Sequence, residues 1–297
     1  MRRGGDRTAR RVRSSRLALR WNGEDGVAPS RARPGRNGGA PPVAPGAPPE
    51  RGLRAPWPGG APWRAAEADF EAALASVYVA FQPIVAWPGA RVFGCEALVR
   101  TRHRRLGRAR DLLRAASLLG RMRDVGRAVR ALAFAAASRL PESVLLFLNL
   151  HADDLEDPQL DHAEHAHLRR RVVLELHEEA RLEDRADLRR RLRELRRLGY
   201  RLALDDMGGG GRGTPSVALL RPDVVKVDAS LVRGVERDGA RREAVGRIHR
   251  VCAENGAALV CEGVESAAER DALWCAGCVL FQGYLFGRPR RRLPALP

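Results

Sequence analysis

Acidic and amide side chains recur inside short apolar runs of this sequence, where a charged group is costly unless it is paired or binds a metal ion. Glu175 within "VVLEL" is the clearest example, and the run "RLALDD" ends in Asp205 and Asp206. The full set of polar residues in such runs is Gln82, Glu96, Asn149, Glu175, Asp205, Asp206, Lys226, Glu262 and Gln282. Five carboxylates brought together repel one another, and oxygen ligands favour Mg²⁺ or Mn²⁺ over zinc. The set therefore predicts a divalent-metal site, the alternative being that each acid pairs with one of the abundant arginines.

Lys226, in the run "VVKVD", is the single lysine among 53 basic residues. Lysine carries a compact point charge on a thin stem, whereas arginine ends in a broad planar fork. A position that keeps lysine in so arginine-rich a chain is expected to lie in a tight site with a chemical role. The alternative is chance, since one leftover lysine must fall somewhere.

The runs that carry these residues alternate with helical patterns, which predicts how the residues are positioned. Eight strands are predicted, at 77–85, 93–100, 144–150, 172–176, 201–206, 224–228, 258–264 and 279–287. Helices are predicted near 110–119, 122–139, 184–198 and 239–255, the last ending at Gly256.

This alternation favours an α/β fold of the (β/α)₈ TIM-barrel type, for which about 250 residues is a typical length. A doubly wound open sheet is the second possibility, but no glycine-rich dinucleotide motif follows the first strand. In a barrel, the carboxyl ends of the strands converge on one rim, where active sites lie. The scattered polar residues would then share one pocket.

Composition divides the chain into two parts. Residues 1–60 hold 13 arginines and four acidic residues, and so carry +9 of the formal net charge of +17. Their glycine and proline content predicts that residues 1–62 form a disordered tail, ahead of one barrel domain at 63–297. Such a tail could bind nucleic acid only through its charge, without specificity.

Cysteine usage and hydropathy indicate the compartment. The five cysteines are odd in number and show no secreted framework, which predicts a cytoplasmic protein. No apolar run approaches 18 residues, so no membrane span is expected.

From about Asp69 to Pro289, eight short motifs occur in an order that resembles the EAL domain family of cyclic di-GMP phosphodiesterases. The name-giving tripeptide is Glu96-Ala97-Leu98, within "CEALVR". The other motifs are "FQPIV", "LNLHADDL", "LELHE", "LALDDMG", "VVKVD", "CEGVES" and "FQGYLFGRP". Each motif alone is a weak signal, but eight in order form a specific one.

The resemblance implies a barrel whose first strand is antiparallel to the others, and hydrolysis of cyclic di-GMP to linear pGpG. Two Mg²⁺ or Mn²⁺ ions would be bound by Glu96, Asn149, Glu175, Asp205 and Asp206. Such ions can bind the attacking water and the phosphate oxygens and can support in-line displacement. A homodimer is also common in the family.

The resemblance assigns roles to further residues. Glu262 would hold or activate the water, Lys226 would touch the water or the phosphate, and Glu178 would steady the loop after the paired aspartates. The predicted substrate-binding residues are Gln82, Leu98, Arg100 and Gln282. An arginine in place of Lys226 would displace metal or water from so crowded a site.

The segment after the paired aspartates departs from the family pattern. It reads "DDMGGGGRGTPSVALL", with four consecutive glycines at 208–211, where the family usually has a loop like D-F-G-T-G-Y-S-S-L. The alternatives are therefore an active phosphodiesterase and a catalytically weak or inactive module that binds cyclic di-GMP or another protein. A protein that associates with nucleic acid through its basic tail is the third possibility.

Overall fold

The computed structural model describes residues 63–177, 186–208 and 214–294. The predicted tail at 1–62 lies outside the described residues, as do Glu178 and residues 209–213 of the glycine-rich segment. All the other predicted site residues lie within the described ranges.

Eight strands form the centre of the fold. They are β1 (Val77–Ala86), β2 (Arg91–Thr101), β3 (Leu145–Asn149), β4 (Val172–His177), β5 (Arg201–Met207), β6 (Val224–Val227), β7 (Ala258–Cys261) and β8 (Leu280–Gln282). The strands close into a barrel in sequence order. β1 runs antiparallel to both neighbours, β2 and β8, and the other pairs are parallel. The predicted barrel with an antiparallel first strand is confirmed.

Helices precede and connect these strands. They are α1 (Trp63–Ala75), α2 (Ala109–Leu118), α3 (Met122–Ala137), α4 (Ala186–Arg197), α5 (Thr214–Leu220), α6 (Ala229–Val232), α7 (Gly239–Asn255) and α8 (Ala267–Cys275). α7 has the predicted bounds and ends at Gly256, whose φ of 72° is a left-handed conformation that glycine adopts without strain. The described connection from β3 to β4 contains four short 3₁₀ turns.

Side chains alternate along each strand between the interior and the exterior of the barrel, and this alternation positions the polar residues. In β4, Val173 belongs to the apolar cluster inside the barrel, and Leu174 and Leu176 belong to the cluster outside it. Glu175 lies two residues after Val173, so its side chain points inward. β6 repeats the pattern, and Lys226 points inward. The buried polar residues therefore form a layer above an apolar plug of Ile84, Leu145, Phe147, Val173, Ala203, Val224, Val260 and Leu280.

The last two strands are shorter than the sequence predicted. β7 ends at Cys261 rather than 264, and β8 ends at Gln282 rather than 287. Gly283 turns the chain where it passes very close to the Val264 backbone, and a side chain there would overlap that backbone. Within "GYLFG", Phe286 packs against the core outside the barrel, whereas Tyr284 and Leu285 are exposed, and none of the three continues the strand.

A buried ion-pair network attaches the turns after β3 to helix α3. Arg130 pairs with Asp154 at 3.2 Å and also with Asp157, and these three side chains are almost fully buried. Arg127 adds two hydrogen bonds of 3.0 Å to Asp157. Gly126 provides the space for the Asp154 carboxylate, because a Cβ at this position would overlap it.

We expect Gly126→Ala to lower the free energy of unfolding by about 1–3 kcal/mol, since overpacking displaces the buried Asp154. Helix propensity alone would give the opposite sign. Gly246→Ala, in α7, is the matched control because no atom lies within 4 Å of its added Cβ. That variant should be more stable by up to about 1 kcal/mol. Urea unfolding measures both variants, and stabilisation by Gly126→Ala would contradict the packing argument.

Candidate active site

Inward positions gather the predicted polar residues at one mouth of the barrel, in the middle of β1 and β2 and at the carboxyl ends of the later strands. Each strand from β1 to β6 contributes at least one of them, β8 ends in one, and Glu262 directly follows β7. The backbone N–H of Glu262 donates to the carbonyl oxygen of Val227 at 3.1 Å, which continues the parallel pairing of β6 and β7 by one step. The residues that lie in mutual contact there are Gln82, Glu96, Asn149, Glu175, Asp205, Lys226, Glu262 and Gln282.

Lys226 occupies the centre of this cluster, and its side chain is 1% exposed. Its Nζ lies 2.6 Å from Glu262 Oε1 and 2.8 Å from Glu175 Oε1. Glu96 Oε2 and Asp205 Oδ1 are at 3.3 Å and 3.5 Å. One ammonium therefore contacts four carboxylates that approach it from four different strands or strand ends.

The burial of these charges shifts their pKa values in different directions. Burial would lower the pKa of Lys226, but the surrounding carboxylates outweigh it and raise this pKa well above its usual value. Burial raises the pKa of Glu175, with neighbouring Glu96 and Asp205 adding to the effect, and raises the pKa of Glu262 to about 8. Burial would also raise the pKa of Glu96, but Lys226 and hydrogen-bond donors hold it below its ordinary value. The acids thus share too little positive charge for all of them to be stably ionised.

Amide side chains supply the remaining donors. Asn149 Nδ2 donates to Glu96 Oε1 at 2.9 Å and to Glu175 Oε2 at 3.3 Å. Gln282 Nε2 donates to Glu96 Oε2 at 2.6 Å and to Gln82 Oε1 at 3.3 Å. Among the described residues, the buried Gln282 Oε1 accepts no hydrogen bond, whereas the buried Glu175 Oε1 has the Lys226 ammonium 2.8 Å away as its partner. The Gln282 oxygen thus remains available to a bound group.

A local irregularity in β5 directs both aspartates to the mouth. The pairing of β5 with β6 shifts register between Leu204 and Met207, which is typical of a β-bulge. Asp206 has a φ of 60°, a left-handed conformation that aspartate tolerates better than most residues. In a regular strand, Asp205 and Asp206 would point to opposite faces.

His177 is a residue of the mouth that the sequence reasoning missed. Its Nδ1 lies 2.9 Å from Asp206 Oδ2, and it faces Asp205 in the register of β4 and β5. The hydrogen bond to Asp206 raises the pKa of His177, and the same bond lowers the pKa of Asp206. Its position two residues after Glu175 in "LELHE" was the available signal, because alternation gives both side chains the same face.

Three predicted site residues do not contact the cluster around Lys226. Leu98 and Arg100 follow Glu96 at two-residue intervals on β2, on the same face but further along the strand. The Arg100 side chain donates to the carbonyl oxygen of Val99 at 2.8 Å. Asp206 is the third by its side chain, which contacts His177, while its backbone N–H donates to Asp205 Oδ1 at 3.0 Å. Glu178 lies outside the described residues, so its role stays a prediction.

The mixed barrel and its acid-lined mouth define an EAL-type domain. The model of the EAL domain family matches residues 67–289, and the chain belongs to that family. The chain is 31% identical over 221 residues to the Pseudomonas aeruginosa cyclic di-GMP phosphodiesterase NbdA, covering 70% of this chain and 28% of that protein.

Solved structures agree with this assignment. A complex of Klebsiella pneumoniae BlrP1 with manganese and cyclic di-GMP superposes with a TM-score of 0.65 at 33% identity, covering 72% of this chain and 56% of that one. A standalone EAL protein from Vibrio cholerae bound to cyclic di-GMP gives a TM-score of 0.62 at 29% identity, covering 74% and 95%. The chain spans less than a third of the length of a curated relative such as NbdA. Across the described ranges, no helix is long and apolar enough to cross a membrane.

Removing the charge of Lys226 should destabilise the protein. We expect Lys226→Met to lower the free energy of unfolding by about 3–5 kcal/mol in metal-free buffer, because buried carboxylates lose their partner. Glu175→Gln added to this variant should recover part of the loss, since it removes one uncompensated acid. Denaturant unfolding of the two variants tests this, and a Lys226→Met protein as stable as the parent would contradict it.

Proposed function

We propose that this chain is a divalent-metal-dependent phosphodiesterase that hydrolyses cyclic di-GMP to linear pGpG. The observation that carries the proposal is the contact of one buried lysine with four carboxylates at the mouth of an EAL-type barrel. The names of the relatives support the substrate, because they include a cyclic di-GMP phosphodiesterase and cyclic di-GMP complexes.

The chemistry of the donors fits two divalent cations. The mouth offers more carboxylates than Lys226 can neutralise, because four of them contact its single ammonium. The proposed ligands are Glu96, Asn149, Glu175, Asp205 and Asp206, which present mainly oxygen atoms, as Mg²⁺ and Mn²⁺ prefer. When bound, such ions supply positive charge to the phosphate oxygens and lower the pKa of a bound water.

The chain's own residues provide the proton acceptor and an electrostatic contact. The Glu262 side chain is 18% exposed, more than the other three acids that contact Lys226, so it is the one that a water above the cluster can reach. We assign Glu262 to orient this water and to accept its proton. The Lys226 ammonium lies beside Glu262 and supplies positive charge where negative charge develops.

Residues on the opposite side of the mouth would hold the nucleotide. Gln282 Oε1 is buried without a hydrogen bond and can accept one from a substrate donor. Gln82 lies next to Gln282, with 3.3 Å between their amides, and Arg100 and Leu98 extend the same surface along β2. We propose that these four residues bind the substrate.

An inactive module that binds cyclic di-GMP or another protein is the second candidate. The glycine-rich sequence at 208–211 favours it, because the family's usual loop residues are missing there. A homodimer stays a prediction. We also propose a cytoplasmic location, since the five cysteines at 95, 252, 261, 275 and 278 are all free.

The first test is product formation. The full chain, incubated with cyclic di-GMP and either Mn²⁺ or Mg²⁺, should yield pGpG, measured by chromatography. Glu262→Gln keeps the shape of the side chain but removes the proton acceptor, so the rate should fall about 10²-fold or more. Nucleotide binding without product in the parent would contradict the enzymatic proposal and support the second candidate.

Lys226→Arg keeps the charge and tests the geometry. A planar guanidinium cannot contact four carboxylates that are arranged around one point, so turnover should fall about 10²–10³-fold. Arg191→Lys, the reverse exchange at an ion pair between α4 and Asp161, is the matched control and should leave turnover unchanged. Both kcat values are compared after circular dichroism confirms folding. If Lys226→Arg turns over substrate nearly as fast as the parent protein, the proposed role of Lys226 is contradicted.

A further inference from the structure

The rim of the mouth carries a second group of possible metal ligands, which differs chemically from the cluster around Lys226. His177, Asp205 and Asp206 each offer one ligand atom, and these three atoms all lie within 4.8 Å of one another. We propose that His177 joins Asp205 and Asp206 in binding one divalent ion, so that the site prefers a transition metal such as Mn²⁺ over Mg²⁺. The inference rests on the metal binding in the proposed function, but it does not require hydrolysis.

The backbone geometry brings the three ligands together. His177 and Asp205 are register partners on the neighbouring strands β4 and β5, so their side chains leave the sheet on the same face. The β5 bulge adds Asp206, whose Oδ2 lies 2.9 Å from His177 Nδ1. An octahedral ion with bonds of about 2.1 Å holds adjacent ligand atoms roughly 3 Å apart and opposite ones roughly 4.2 Å apart. The 2.9 Å between His177 Nδ1 and Asp206 Oδ2 matches two adjacent ligands, and an ion would draw Asp205, within 4.8 Å of both, slightly closer.

Exposure and charge separate this group from the inner acids. The side chains of His177 and Asp206 are 50% and 51% exposed, so an ion can enter from solvent and keep water ligands. Asp205 belongs to both groups, but Lys226 contacts it at 3.5 Å and lies closer to Glu262 and Glu175, at 2.6 and 2.8 Å. Among the described residues, Asp206 forms its ion pair with His177.

The donor set determines which metals it favours. Mg²⁺ takes oxygen ligands and loses water reluctantly, whereas imidazole nitrogen suits Fe²⁺, Ni²⁺, Cu²⁺ and Zn²⁺. Mn²⁺ also prefers oxygen, but as a transition metal it accepts one imidazole beside carboxylates more readily than Mg²⁺ does. One imidazole with two carboxylates therefore raises the affinity for transition metals more than the affinity for Mg²⁺. The competing explanation is a half-exposed His–Asp ion pair without a ligand role, which would contribute about 0–1 kcal/mol.

His151 provides a matched control on the same protein. It also pairs with an aspartate, at 3.4 Å from Asp153, with side-chain exposures of 44% and 64%. No third ligand completes a metal-binding group there among the described residues. A general effect of removing an exposed histidine next to an acid would appear in His151→Gln as well as in His177→Gln.

The test uses the full chain, without an affinity tag, after removal of metal by a chelator. Mn²⁺ affinity is measured by electron paramagnetic resonance titration, and Mg²⁺ affinity by competition against Mn²⁺. His177→Gln should weaken Mn²⁺ binding about tenfold or more, with a smaller effect on Mg²⁺. The Mn²⁺ and Mg²⁺ affinities of His151→Gln should agree with those of the parent protein within about twofold.

Pulsed electron paramagnetic resonance separates direct ligation from an indirect effect. The parent with one and with two equivalents of Mn²⁺ should show coupling to a directly bound ¹⁴N nucleus, and His177→Gln should lose it. His177→Asp replaces nitrogen by oxygen, so it should bind metal without the ¹⁴N signal and with a reduced preference for Mn²⁺ over Mg²⁺. Absence of the ¹⁴N signal in the parent, or unchanged Mn²⁺ affinity in His177→Gln, would overturn the inference.

These results are independent of the hydrolysis assay. If the parent protein shows the ¹⁴N signal but forms no pGpG, His177 is supported as a metal ligand and the phosphodiesterase proposal is contradicted. If the parent protein forms pGpG without the signal, the phosphodiesterase proposal is supported and His177 is not a metal ligand.

Discussion

The charge balance around Lys226 is the constraint on which the rest of the structure depends. Removing an ion from water costs several kcal/mol, and attraction between opposite charges must offset that cost. One ammonium faces four carboxylates here, so further positive charge has to come from elsewhere. At Glu96, hydrogen bonds from amide donors stabilise the negative charge in part, and the pKa of this residue is lowered. Glu175 keeps a raised pKa, because burial and neighbouring Glu96 outweigh the Lys226 ammonium that lies 2.8 Å from its Oε1. The carboxylates around Lys226 therefore need more positive charge than this one lysine supplies.

The barrel can hold this arrangement because of what lies beneath it. Ile84, Phe147 and Val173 belong to an apolar plug that closes the interior below the polar layer. The plug excludes water from one side, which strengthens every electrostatic interaction above it. The same two-residue alternation that builds the plug also orients Glu175 and Lys226, so packing and chemistry arise from one backbone pattern. Substitutions in the plug would consequently alter the site as well as stability.

Much of this arrangement could be predicted from the sequence, because it depends on local alternation. Strand order and the convergence of eight polar residues followed from motifs and strand ends, whereas the antiparallel first strand was implied by the resemblance to the EAL family. The β5 bulge did not, since it depends on pairing with β6 and not on "LALDDM" itself. His177 was missed for a related reason: its relation to Asp206 exists only after the bulge has turned that aspartate. The early end of β8 depends on the close approach of Gly283 to Val264.

Acidic and amide side chains are distributed unevenly around the mouth. This distribution separates the attraction of cations from the recognition of a polar ligand. Glu175, Asp205, Asp206 and His177 lie on β4 and β5, whereas Gln282, Gln82 and Arg100 lie on β8, β1 and β2. Glu96 on β2 is an acid on the amide side, where it accepts a hydrogen bond from Gln282. In a closed barrel of eight strands, β1 is surrounded by β2 and β8, and β5 lies across from it. Cations are therefore attracted to one side of the mouth, and the other side presents donors and acceptors to a polar ligand. A phosphate between the two sides would meet bound positive charge on one side and Arg100 on the other, so the acids need not repel it. Changes at Glu175, Asp205, Asp206 or His177 should thus alter metal choice, and changes at Gln282, Gln82 or Arg100 should alter ligand recognition.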